Sequence, residues 1–470
     1  MDDALPNRAE IVVIGGGPAG YATAIRSGQR GADVVLVERD AVGGTCLNYG
    51  CIPSKAFIAA TEVADRAAGG ERMGIHADPE IDLAAMVRWK DRIVLRLTRG
   101  VEHLCKRNGV TLVDGTARFV DEDCISIEGP DGTRELAFET AVIATGSTPI
   151  ELPAVPFDEP GILDARAALA REEIPHSLAV IGAGYIGMEL ATVFAKLGSD
   201  VTVIELLDGP LTQYDDDLVA PVMDRVADLG MTCHFDTEVT DRRSTEAGHH
   251  ELVLDGSNAP DTVTAEHVLV AVGRRPAADT VGLDAVDLVP TDTGAIEVDA
   301  VGRTTNSRIY AVGDVTGEPM LAHAGIAEGE AAAAAIAGES PGANAAAVPE
   351  VIFTDPEIAR VGMTTSAVAE AGYAPTTVRV PFRANGRALT LDRRDGFVRL
   401  VADEESGRVL GGAIVGPHAG ELIAEIGLAV DTGATLADVA RTMHAHPTLS
   451  EAVGETAALG LGEAIHVLNP

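Results

Sequence analysis

The chain has 470 residues, of which 46% are hydrophobic and only 3% are aromatic, and its formal net charge is −37. This length allows two to four domains with a sizeable core built mainly from aliphatic side chains. The acidic charge argues against nucleic acid and anionic membranes as partners, because both would be repelled. No apolar run reaches the roughly 20 residues that a membrane span needs.

The basic residues are almost all arginines, and the few lysines are Lys55, Lys90, Lys106 and Lys196. Many acids with few lysines indicate a surface adapted to high salt, where screening weakens self-repulsion. The alternative is a merely acidic, well-solvated surface. The first residues, MDDALPNRAE, lack the pattern of a secretion signal, so we expect a cytoplasmic protein.

One sequence pattern occurs twice and aligns without a gap. Each copy reads as an apolar strand, a glycine turn, a helix and a second strand that ends in an acid. Because the whole pattern is repeated, it predicts two nucleotide-binding folds and therefore two dinucleotides. The strand, helix and acid are Ile11–Ile14, Tyr21–Arg30 and Glu38 in the first copy, and Leu178–Ile181, Met188–Leu197 and Glu205 in the second.

The spacing of the glycines suits a dinucleotide. Gly15 permits the tight turn, Gly17 lets the backbone approach a pyrophosphate, and Gly20 allows close packing of helix on strand. The helix N-terminus then offers free N–H groups to the phosphates. The acid would bind ribose hydroxyls and repel a 2′-phosphate, so Glu205 favours NAD over NADP. The matching glycines of the second copy are Gly182, Gly184 and Gly187.

A cysteine pair follows the first copy in the segment GGTCLNYGCIPSK. In a helix, Cys46 and Cys51 would be separated by about 7.5 Å of rise, which exceeds the Cα spacing of a disulfide, roughly 4.4–6.8 Å. If they pair, the chain between them is not regular helix, and Asn48 and Gly50 tolerate unusual backbone angles. Pro53 predicts a helix that starts just after Cys51, where a thiolate would be stabilised and its pKa lowered. Two small buried hydrophobes are the alternative.

The remaining cysteines are Cys105, Cys124 and Cys233. An odd count without a secretion signal is no disulfide framework. No second pair follows at zinc-ligand spacing, so we expect no metal. We interpret these three as structural.

Later segments mark the domain organisation. Val142–Pro149 leads the chain out of the first domain, and Val268–Pro276 closes the second. Thr304–Asp314 again places an apolar strand before Gly-Asp, and Ala331–Ala347 reads as a helix end followed by a linker. From Val348 onward, antiparallel strands with Glu-Ser-Gly turns and then helices predict an α+β domain.

The cysteine segment resembles the active-site segment of the pyridine nucleotide–disulfide oxidoreductases. The resemblance covers nearly the whole chain, through both glycine motifs, VIATGS, IYAVGD, MLAHAGIAEGE, FTDPEIARVG, FRANGRA and HAHPTLSE. HAHPTLSE and FRANGRA are most similar to the dihydrolipoamide dehydrogenases. The resemblance implies an α/β fold, with two Rossmann-like domains that bind FAD and NAD plus a C-terminal α+β dimerisation domain. The implied boundaries are 1–149 for FAD binding, 150–273 for NAD binding, 274–347 for a central segment completing the FAD site, and 348–470 for the interface.

The resemblance also implies a reaction. Dihydrolipoamide, carried on a lipoyl domain of a 2-oxo-acid dehydrogenase complex, would be oxidised through a Cys46–Cys51 disulfide and FAD, and NAD+ would be reduced. Cys46 would meet the dithiol, and Cys51 would lie against the flavin. Lys55 would approach the flavin and pair with Glu189.

Dithiol oxidation releases protons and needs a base. The resemblance gives that role to His446, oriented by Glu451 and supplied from the partner subunit of a homodimer. We interpret His444 as a packing or locally hydrogen-bonded residue.

Further cofactor contacts are implied residue by residue. Glu38 would hold the adenosine half of FAD, Glu205 would hold NAD, and Gly273 would lie beside the nicotinamide nucleotide. The other FAD-site residues would be Gly44, Thr45, Lys55, Gly115, Ala117, Thr145, Gly146, Ser147, Asp314, Met320, Leu321, Ala322 and His323.

Two alternatives stay open. One is another NAD(P)H-dependent disulfide or quinone reductase of the same family. Glutathione-type reduction is disfavoured because Leu206 and Leu207 follow Glu205 where arginine is usual, and mercuric reduction because no cysteine lies beyond Cys233. The other is a mainly structural flavoprotein subunit. One departure from the family pattern is Tyr49, which replaces a small apolar residue between the cysteines.

Overall fold

The computed structural model describes residues 6–340 and 347–469. The chain folds into two compact units. The first contains the described residues of Met1–Glu159, Leu163–Glu173 and Ala271–Asn344, and the second those of Pro160–Ile162, Ile174–Val270 and Ala345–Pro470. Most of the linker predicted within Ala331–Ala347 lies outside the described residues. In the part of the chain that is described, no helix is both long and apolar enough to cross a membrane.

The strands of the described residues are β1 (Arg8–Ile14), β2 (Val34–Glu38), β3 (Val110–Asp114), β4 (Thr116–Asp121), β5 (Cys124–Gly129), β6 (Gly132–Ile143), β7 (Ser147–Pro149), β8 (Ile162–Leu163), β9 (Ser177–Ile181), β10 (Asp200–Ile204), β11 (Thr232–His234), β12 (Glu238–Ser244), β13 (His250–Asp255), β14 (Thr262–Ala265), β15 (His267–Val270), β16 (Arg274–Pro276), β17 (Ile309–Ala311), β18 (Glu350–Ile352), β19 (Glu357–Gly362), β20 (Pro375–Pro381), β21 (Phe397–Asp403) and β22 (Val409–Gly416).

The α-helices are α1 (Pro18–Gln29), α2 (Gly44–Asn48), α3 (Cys51–Ala68), α4 (Leu83–Arg107), α5 (Ala165–Leu169), α6 (Tyr185–Lys196), α7 (Asp216–Asp228), α8 (Ala322–Ile336), α9 (Thr365–Glu370), α10 (Gly386–Thr390), α11 (Ala419–Thr432), α12 (Leu436–Arg441) and α13 (Glu451–Gly460). Both helices after the glycine turns start three residues earlier than predicted, at Pro18 and Tyr185. The reason is that Gly17 and Gly184 are themselves the N-caps, so each turn leads straight into its helix.

A mostly parallel sheet organises the first unit, with strand order β3-β2-β1-β6-β5-β4 and β17 paired to β6. Val34 and Leu36 of β2 belong to the core that faces α1, α4 and α8, whereas Val35 and Val37 face β4–β6. Successive strand residues point to opposite faces, so a strand covered on both faces needs the continuous apolar run that the sequence contains.

The register of the first unit places the predicted site at one sheet edge. Ile14 of β1 is level with Val37 of β2 and with Ile143 of β6, and these strands are parallel. The segments that follow, including Gly15 and Glu38, therefore leave the sheet at the same edge.

The second unit repeats this arrangement. Its parallel strands β11, β10, β9 and β15 are neighbours in that order, and Ile181 of β9 is level with Ile204 of β10. Gly182 and Glu205 thus leave one edge of this sheet, and β12, β13 and β14 form a separate antiparallel sheet.

The C-terminal part of the second unit is the predicted α+β structure. Its antiparallel sheet has the order β18-β19-β22-β21-β20. All eight residues of β22 are buried, so the strand lacks the alternation of a half-exposed sheet. The cause is cover on both faces, because α11–α13 pack on one side and Val368 of α9 packs on the other.

An ion cluster joins the two parts of the second unit. Asp355, which precedes β19, accepts hydrogen bonds from Lys196 of α6 (2.7 Å), Arg225 of α7 (3.1 Å) and Arg393. Burial disfavours the ionised carboxylate, but the three cations outweigh it and lower the pKa of Asp355 to about 2.

Candidate functional site

The first glycine turn has the geometry that a dinucleotide needs. Gly15 has φ +104°, and a Cβ there would lie 2.3 Å from the Ala144 carbonyl oxygen. A Cβ on Gly20 would lie 1.9 Å from the Gly15 oxygen, so helix and strand approach as only glycine allows. Gly17 has open space at its Cβ position, and no side chain of the described residues caps α1. The first N–H groups of α1 are thus available for phosphate, and this turn fits a pyrophosphate.

The second turn has the same geometry. Gly182 has φ +103°, and a Cβ on Gly187 would lie 2.0 Å from the Gly182 oxygen. Gly184 has open space and precedes α6, which no side chain of the described residues caps. The second unit therefore fits a second dinucleotide.

The two acids are held identically. Glu38 accepts the Gly16 N–H on Oε2 at 2.6 Å and the Asp40 N–H on Oε1 at 2.8 Å. Glu205 accepts the two matching N–H groups of the second copy at 2.6 and 2.9 Å. Each carboxylate oxygen keeps further acceptor capacity, which suits ribose hydroxyls.

The cysteine segment lies directly on the first glycine turn. A Cβ on Gly44, whose φ is +56°, would be 2.6 Å from the Cα of Gly17. The Gly43 N–H donates to the Gly16 oxygen at 2.7 Å. The segment that starts α2 is thus fixed beside the phosphate-binding backbone, with Thr45 exposed.

The chain breaks between the cysteines, as predicted, and α3 begins at Cys51 with Pro53 in its first turn. Of the two residues that tolerate unusual backbone angles, Asn48 does not use this tolerance, because it is helical and ends α2. Its amide instead donates to three backbone oxygens, and its Oδ1 accepts the Thr98 hydroxyl at 2.8 Å. The unusual conformation falls on Gly50, with φ −128° and ψ −98°.

Both cysteines are thiols in the structure, which is the reduced form of the predicted pair. A hydrogen bond with the Cys51 side chain raises the pKa of Cys46, and burial and the charge of Cys51 raise it further, whereas the nearby Lys55 ammonium and a backbone hydrogen bond at Cys51 lower it. Cys51 lies at the N-terminus of α3, where the helix dipole favours an anion.

The predicted base is assembled at the start of α13. His446 Nδ1 and Glu451 Oε1 are 2.8 Å apart, and Glu451 Oε2 accepts the Thr448 N–H at 2.8 Å. Burial opposes ionisation of Glu451, but the Thr448 N–H and His446 lower the pKa of this carboxyl. The His446 side chain is 81% exposed, so its other nitrogen can meet a proton donor from outside the chain.

Two family models cover most of the chain. The pyridine nucleotide-disulphide oxidoreductase model matches residues 9–329, and its dimerisation domain matches residues 348–457. The chain belongs to the pyridine nucleotide-disulphide oxidoreductase family. FAD and NAD are its cofactors, and it is a homodimer.

Relatives within the family are similar over nearly full length. Dihydrolipoyl dehydrogenase 2 of Haloarcula marismortui is 52% identical, covering 97% of this chain and 98% of the relative. Dihydrolipoyl dehydrogenase of Halobacterium salinarum is 52% identical, covering 98% of each. The crystal structure of LpdA from Mycobacterium tuberculosis superimposes with a TM-score of 0.90 at 29% identity, covering 96% of this chain and 99% of LpdA. The two Rossmann-like domains and the α+β dimerisation domain predicted from the sequence are thereby confirmed.

Several other predicted FAD-site residues form one hydrogen-bonded group in the first unit. Ser147 donates to Asp314 Oδ2 at 2.5 Å and accepts from Arg274 Nε at 2.7 Å. The Thr145 hydroxyl donates to the Ala277 oxygen at 2.9 Å. Neighbouring Gly146 adopts φ +70° with open space around it. The group joins the ends of β6 and β17, which is where the family pattern predicts the flavin.

Three other predicted site residues have structural contacts within the first unit. The Ala117 side chain lies in the hydrophobic core, so only its backbone is left to meet a cofactor. Gly115 has φ +158°, and a Cβ there would lie 2.8 Å from the Glu128 oxygen, which gives it a structural reason to be glycine. Gly273 lies in the first unit, where its oxygen accepts the Ile150 N–H. Its predicted place beside the nicotinamide nucleotide stays a prediction.

The stretch Met320–His323 leads into α8, and His323 is exposed. The same helix supplies Glu328, which sequence reasoning missed. Its Oε2 accepts the Gly313 N–H at 2.7 Å and so fixes the turn that carries Asp314. Burial raises the pKa of Glu328. Glu328 is half-buried, and an acid after AHAGIA in an otherwise Ala/Gly-rich helix could have indicated this role.

Lys55 and Glu189 lie in different units, so their pairing stays a prediction. Glu189 is 3% exposed and accepts the Phe353 N–H at 2.9 Å.

His444 has the local role predicted for it. Its Nε2 lies 2.7 Å from Glu425 Oε1, and its ring lies against Gly454, where a Cβ would be 2.7 Å from Nδ1. Its side chain is 10% exposed, so it packs the loop that carries His446 against α11 and α13.

The C-terminal segment holds a further His–Glu contact that sequence reasoning missed. Glu455, one helical turn after Glu451 on α13, accepts the N–H groups of Ile465 and His466 and faces the His466 ring at 3.3 Å. The i, i+4 spacing of the two glutamates could have indicated neighbouring carboxylates on one helix face. Among the residues described, no cluster of three or more His, Cys, Asp or Glu could hold a metal ion.

Proposed function

We propose that Cys46 and Cys51 form the dithiol–disulfide centre of this chain, with His446 as its base. The activity is oxidation of dihydrolipoamide to lipoamide with reduction of NAD+. The observation that carries the assignment of the centre is the contact of Gly44 with Gly17, which fixes the cysteine segment against the first dinucleotide turn. FAD, when bound, supplies the two-electron chemistry that links the dithiol to NAD+.

The thiol steps follow from the two sulfurs. A substrate thiolate attacks Cys46 Sγ, the Cys46–Cys51 bond breaks, and Cys51 leaves as a thiolate. The second substrate thiol then attacks the mixed disulfide, lipoamide is released, and Cys46 is left as a thiol. Exposure alone would favour attack on Cys51, which is more exposed than Cys46. We choose Cys46 because Cys51 begins α3, where the helix dipole favours a thiolate, and this makes Cys51 the better leaving group.

His446 takes the proton of the first substrate thiol and releases it to solvent, then takes the proton of the second thiol and passes it to the Cys46 sulfur as that sulfur leaves. Glu451 fixes the imidazole through Nδ1 and stabilises its charged form, so Nε2 is the accepting atom. Because the ring is exposed at the surface of its own chain, we propose that it serves the disulfide of the partner subunit.

Each unit has one glycine turn and one acid, and we assign one cofactor to each unit. We propose that Gly15, Gly17 and Glu38 hold the adenosine and pyrophosphate of FAD, and that Gly184 and Glu205 hold NAD. A carboxylate held by two N–H groups repels a 2′-phosphate, and this supports NAD over NADP.

Further details are part of the same proposal. The substrate dithiol is carried on a lipoyl domain of a 2-oxo-acid dehydrogenase complex, and the protein is cytoplasmic. The functional domains are residues 1–149, 150–273, 274–347 and 348–470. Support for the last boundary is the dimerisation model, which starts at residue 348.

Turnover of the purified, FAD-loaded homodimer with dihydrolipoamide and NAD+ tests the proposal. NADH formation is expected, and its absence while FAD is bound would overturn it. Parallel reactions with NADP+, oxidised glutathione and Hg(II) rank the other reductase activities.

Faster turnover of a lipoylated domain than of free dihydrolipoamide is expected for the proposed carrier, and equal rates would contradict it.

A further inference from the structure

The loop between the cysteines is anchored from two sides. On one side the Asn48 amide holds the backbone of Ala41, Val42 and Gly44 and accepts the Thr98 hydroxyl. On the other side lies Tyr49, the residue by which this chain departs from the family pattern. Its contacts are made by side chains outside the loop, so they can act on the loop's position.

Tyr49, Arg166 and Asp40 form a triangle of side chains in which Arg166 contacts the other two. The Arg166 guanidinium carbon lies 3.6 Å from the centroid of the Tyr49 ring. Arg166 Nη1 donates to Asp40 Oδ2 at 3.2 Å. Burial and the Asp40 carboxylate raise the pKa of Tyr49, so the hydroxyl keeps its proton.

The two outer members of the triangle are themselves fixed. Asp40 follows β2, and its N–H donates to Glu38 Oε1 at 2.8 Å. Arg166 lies in α5, whose first turn is capped by Asp164, which accepts the Ala167 N–H at 2.7 Å. The triangle therefore connects the loop to the end of β2, which carries Glu38, and to α5. All of these elements lie within the first unit.

We propose that Tyr49, Arg166 and Asp40 are positioning residues that hold the reduced loop in its closing geometry and thereby favour the Cys46–Cys51 disulfide. The inference rests on the proposed redox role of the two cysteines. A disulfide closes only when its sulfurs and Cα atoms are within a narrow range. The closing equilibrium therefore depends on the fraction of dithiol molecules whose loop keeps the two sulfurs together.

The backbone conformation of Gly50 favours relaxation of the loop when its outside anchors are lost. It takes an uncommon backbone conformation next to Tyr49, which a loop without outside anchors would leave. Loss of the triangle would leave Asn48 as the anchor on one side alone. The loop of the dithiol form would then gain conformational freedom, and the equilibrium would favour the disulfide less.

The size of the effect is limited because the triangle is partly exposed, with 55% of the Arg166 and 47% of the Asp40 side chain accessible. We expect the dithiol–disulfide equilibrium of the pair to shift three- to tenfold. A tenfold shift corresponds to about 30 mV for a two-electron couple. The shift is toward the dithiol, so the midpoint potential rises.

The test uses the FAD-loaded homodimer, equilibrated with graded ratios of reduced to oxidised dithiothreitol. The fraction of Cys46–Cys51 disulfide is read by thiol labelling after denaturation and mass spectrometry. Tyr49→Val and Arg166→Ala should each move the equilibrium three- to tenfold toward the dithiol. Tyr49→Phe, which keeps the stacked ring and loses only the hydroxyl, should move it less.

The matched control is Arg8→Ala, which removes an equally exposed arginine and its ion pair with Glu139 in the same unit. It should leave the equilibrium unchanged. Thermal unfolding and FAD content of every variant show whether a shift comes from misfolding. Folded Tyr49→Val and Arg166→Ala proteins with the wild-type equilibrium would overturn the inference. If the wild-type pair itself fails to titrate, the proposed function fails instead, so the two failures are distinguishable.

Discussion

A Cβ on Gly44 would lie 2.6 Å from the Cα of Gly17, so the backbones of the redox segment and of the first glycine turn are in contact. This contact fixes how far the two cysteines lie from a dinucleotide bound at the start of α1. It also explains why the segment begins with glycines, since any side chain at Gly44 would push the two backbones apart.

Replacement of Gly44 by alanine should therefore lower FAD retention. Gly31→Ala is the matched control, because Gly31 also has positive φ but has open space at its Cβ position. Both variants carry the backbone strain, and only Gly44→Ala carries the clash. We expect at least a tenfold weaker FAD affinity for Gly44→Ala than for Gly31→Ala, measured by flavin fluorescence on dilution. Equal affinities would contradict the account.

The second prediction concerns His446, the proposed base. His446→Gln removes the proton acceptor and should lower dithiol oxidation by about 10²–10⁴-fold, with little change in thermal stability because the ring is exposed. His444→Gln should lower thermal stability and change dithiol oxidation little, since that ring is packed against Gly454. Steady-state rates and melting temperatures of both variants separate the two roles. A large stability loss in His446→Gln with normal turnover would count against its role as base.

Asp355 gives a pH prediction whose sign follows from its lowered pKa. Its folded pKa of about 2 lies below the ordinary value, so its stabilisation is present above pH ~4 and is lost as pH falls toward 2. Asp355→Asn should destabilise by roughly 3–5 kcal/mol at pH 7, because three buried or half-buried cations lose their carboxylate. The difference from wild type should shrink by about 2 kcal/mol as pH falls through this window. Urea unfolding across pH tests this, and a difference that does not depend on pH would refute it.

The acidic surface gives a salt prediction. With a net charge of −37, self-repulsion should lower the melting temperature in dilute buffer, and added NaCl should raise it steadily through screening. Activity should rise in parallel. Melting scans and turnover over a salt series measure this, and full stability and activity in dilute buffer would contradict the salt-adapted interpretation.

The sequence predicts those parts of the fold in which local pattern and tertiary role agree. The glycine turns and β2 are examples, because a run such as VVLVE is needed only where a strand is covered on both faces. It does not predict contacts that a side chain makes with a residue elsewhere in the chain. Glu328 with Gly313 and Arg166 with Tyr49 are 15 and 117 residues apart, and no local periodicity records them. The role of Asn48 was not predictable for a related reason, since its tolerance of strained backbone is a general property, whereas its amide is used here for hydrogen bonds.

The central claim is that the electrons of dihydrolipoamide pass through Cys46 and Cys51. NADH formation from dihydrolipoamide by Cys46→Ser and Cys51→Ser, with Cys124→Ser as the control cysteine, tests it most directly. Both centre variants should bind FAD, unfold like the wild type and lose NADH formation by at least about 10³-fold, while Cys124→Ser keeps wild-type turnover. Turnover within tenfold of wild type in either FAD-loaded centre variant would contradict the account.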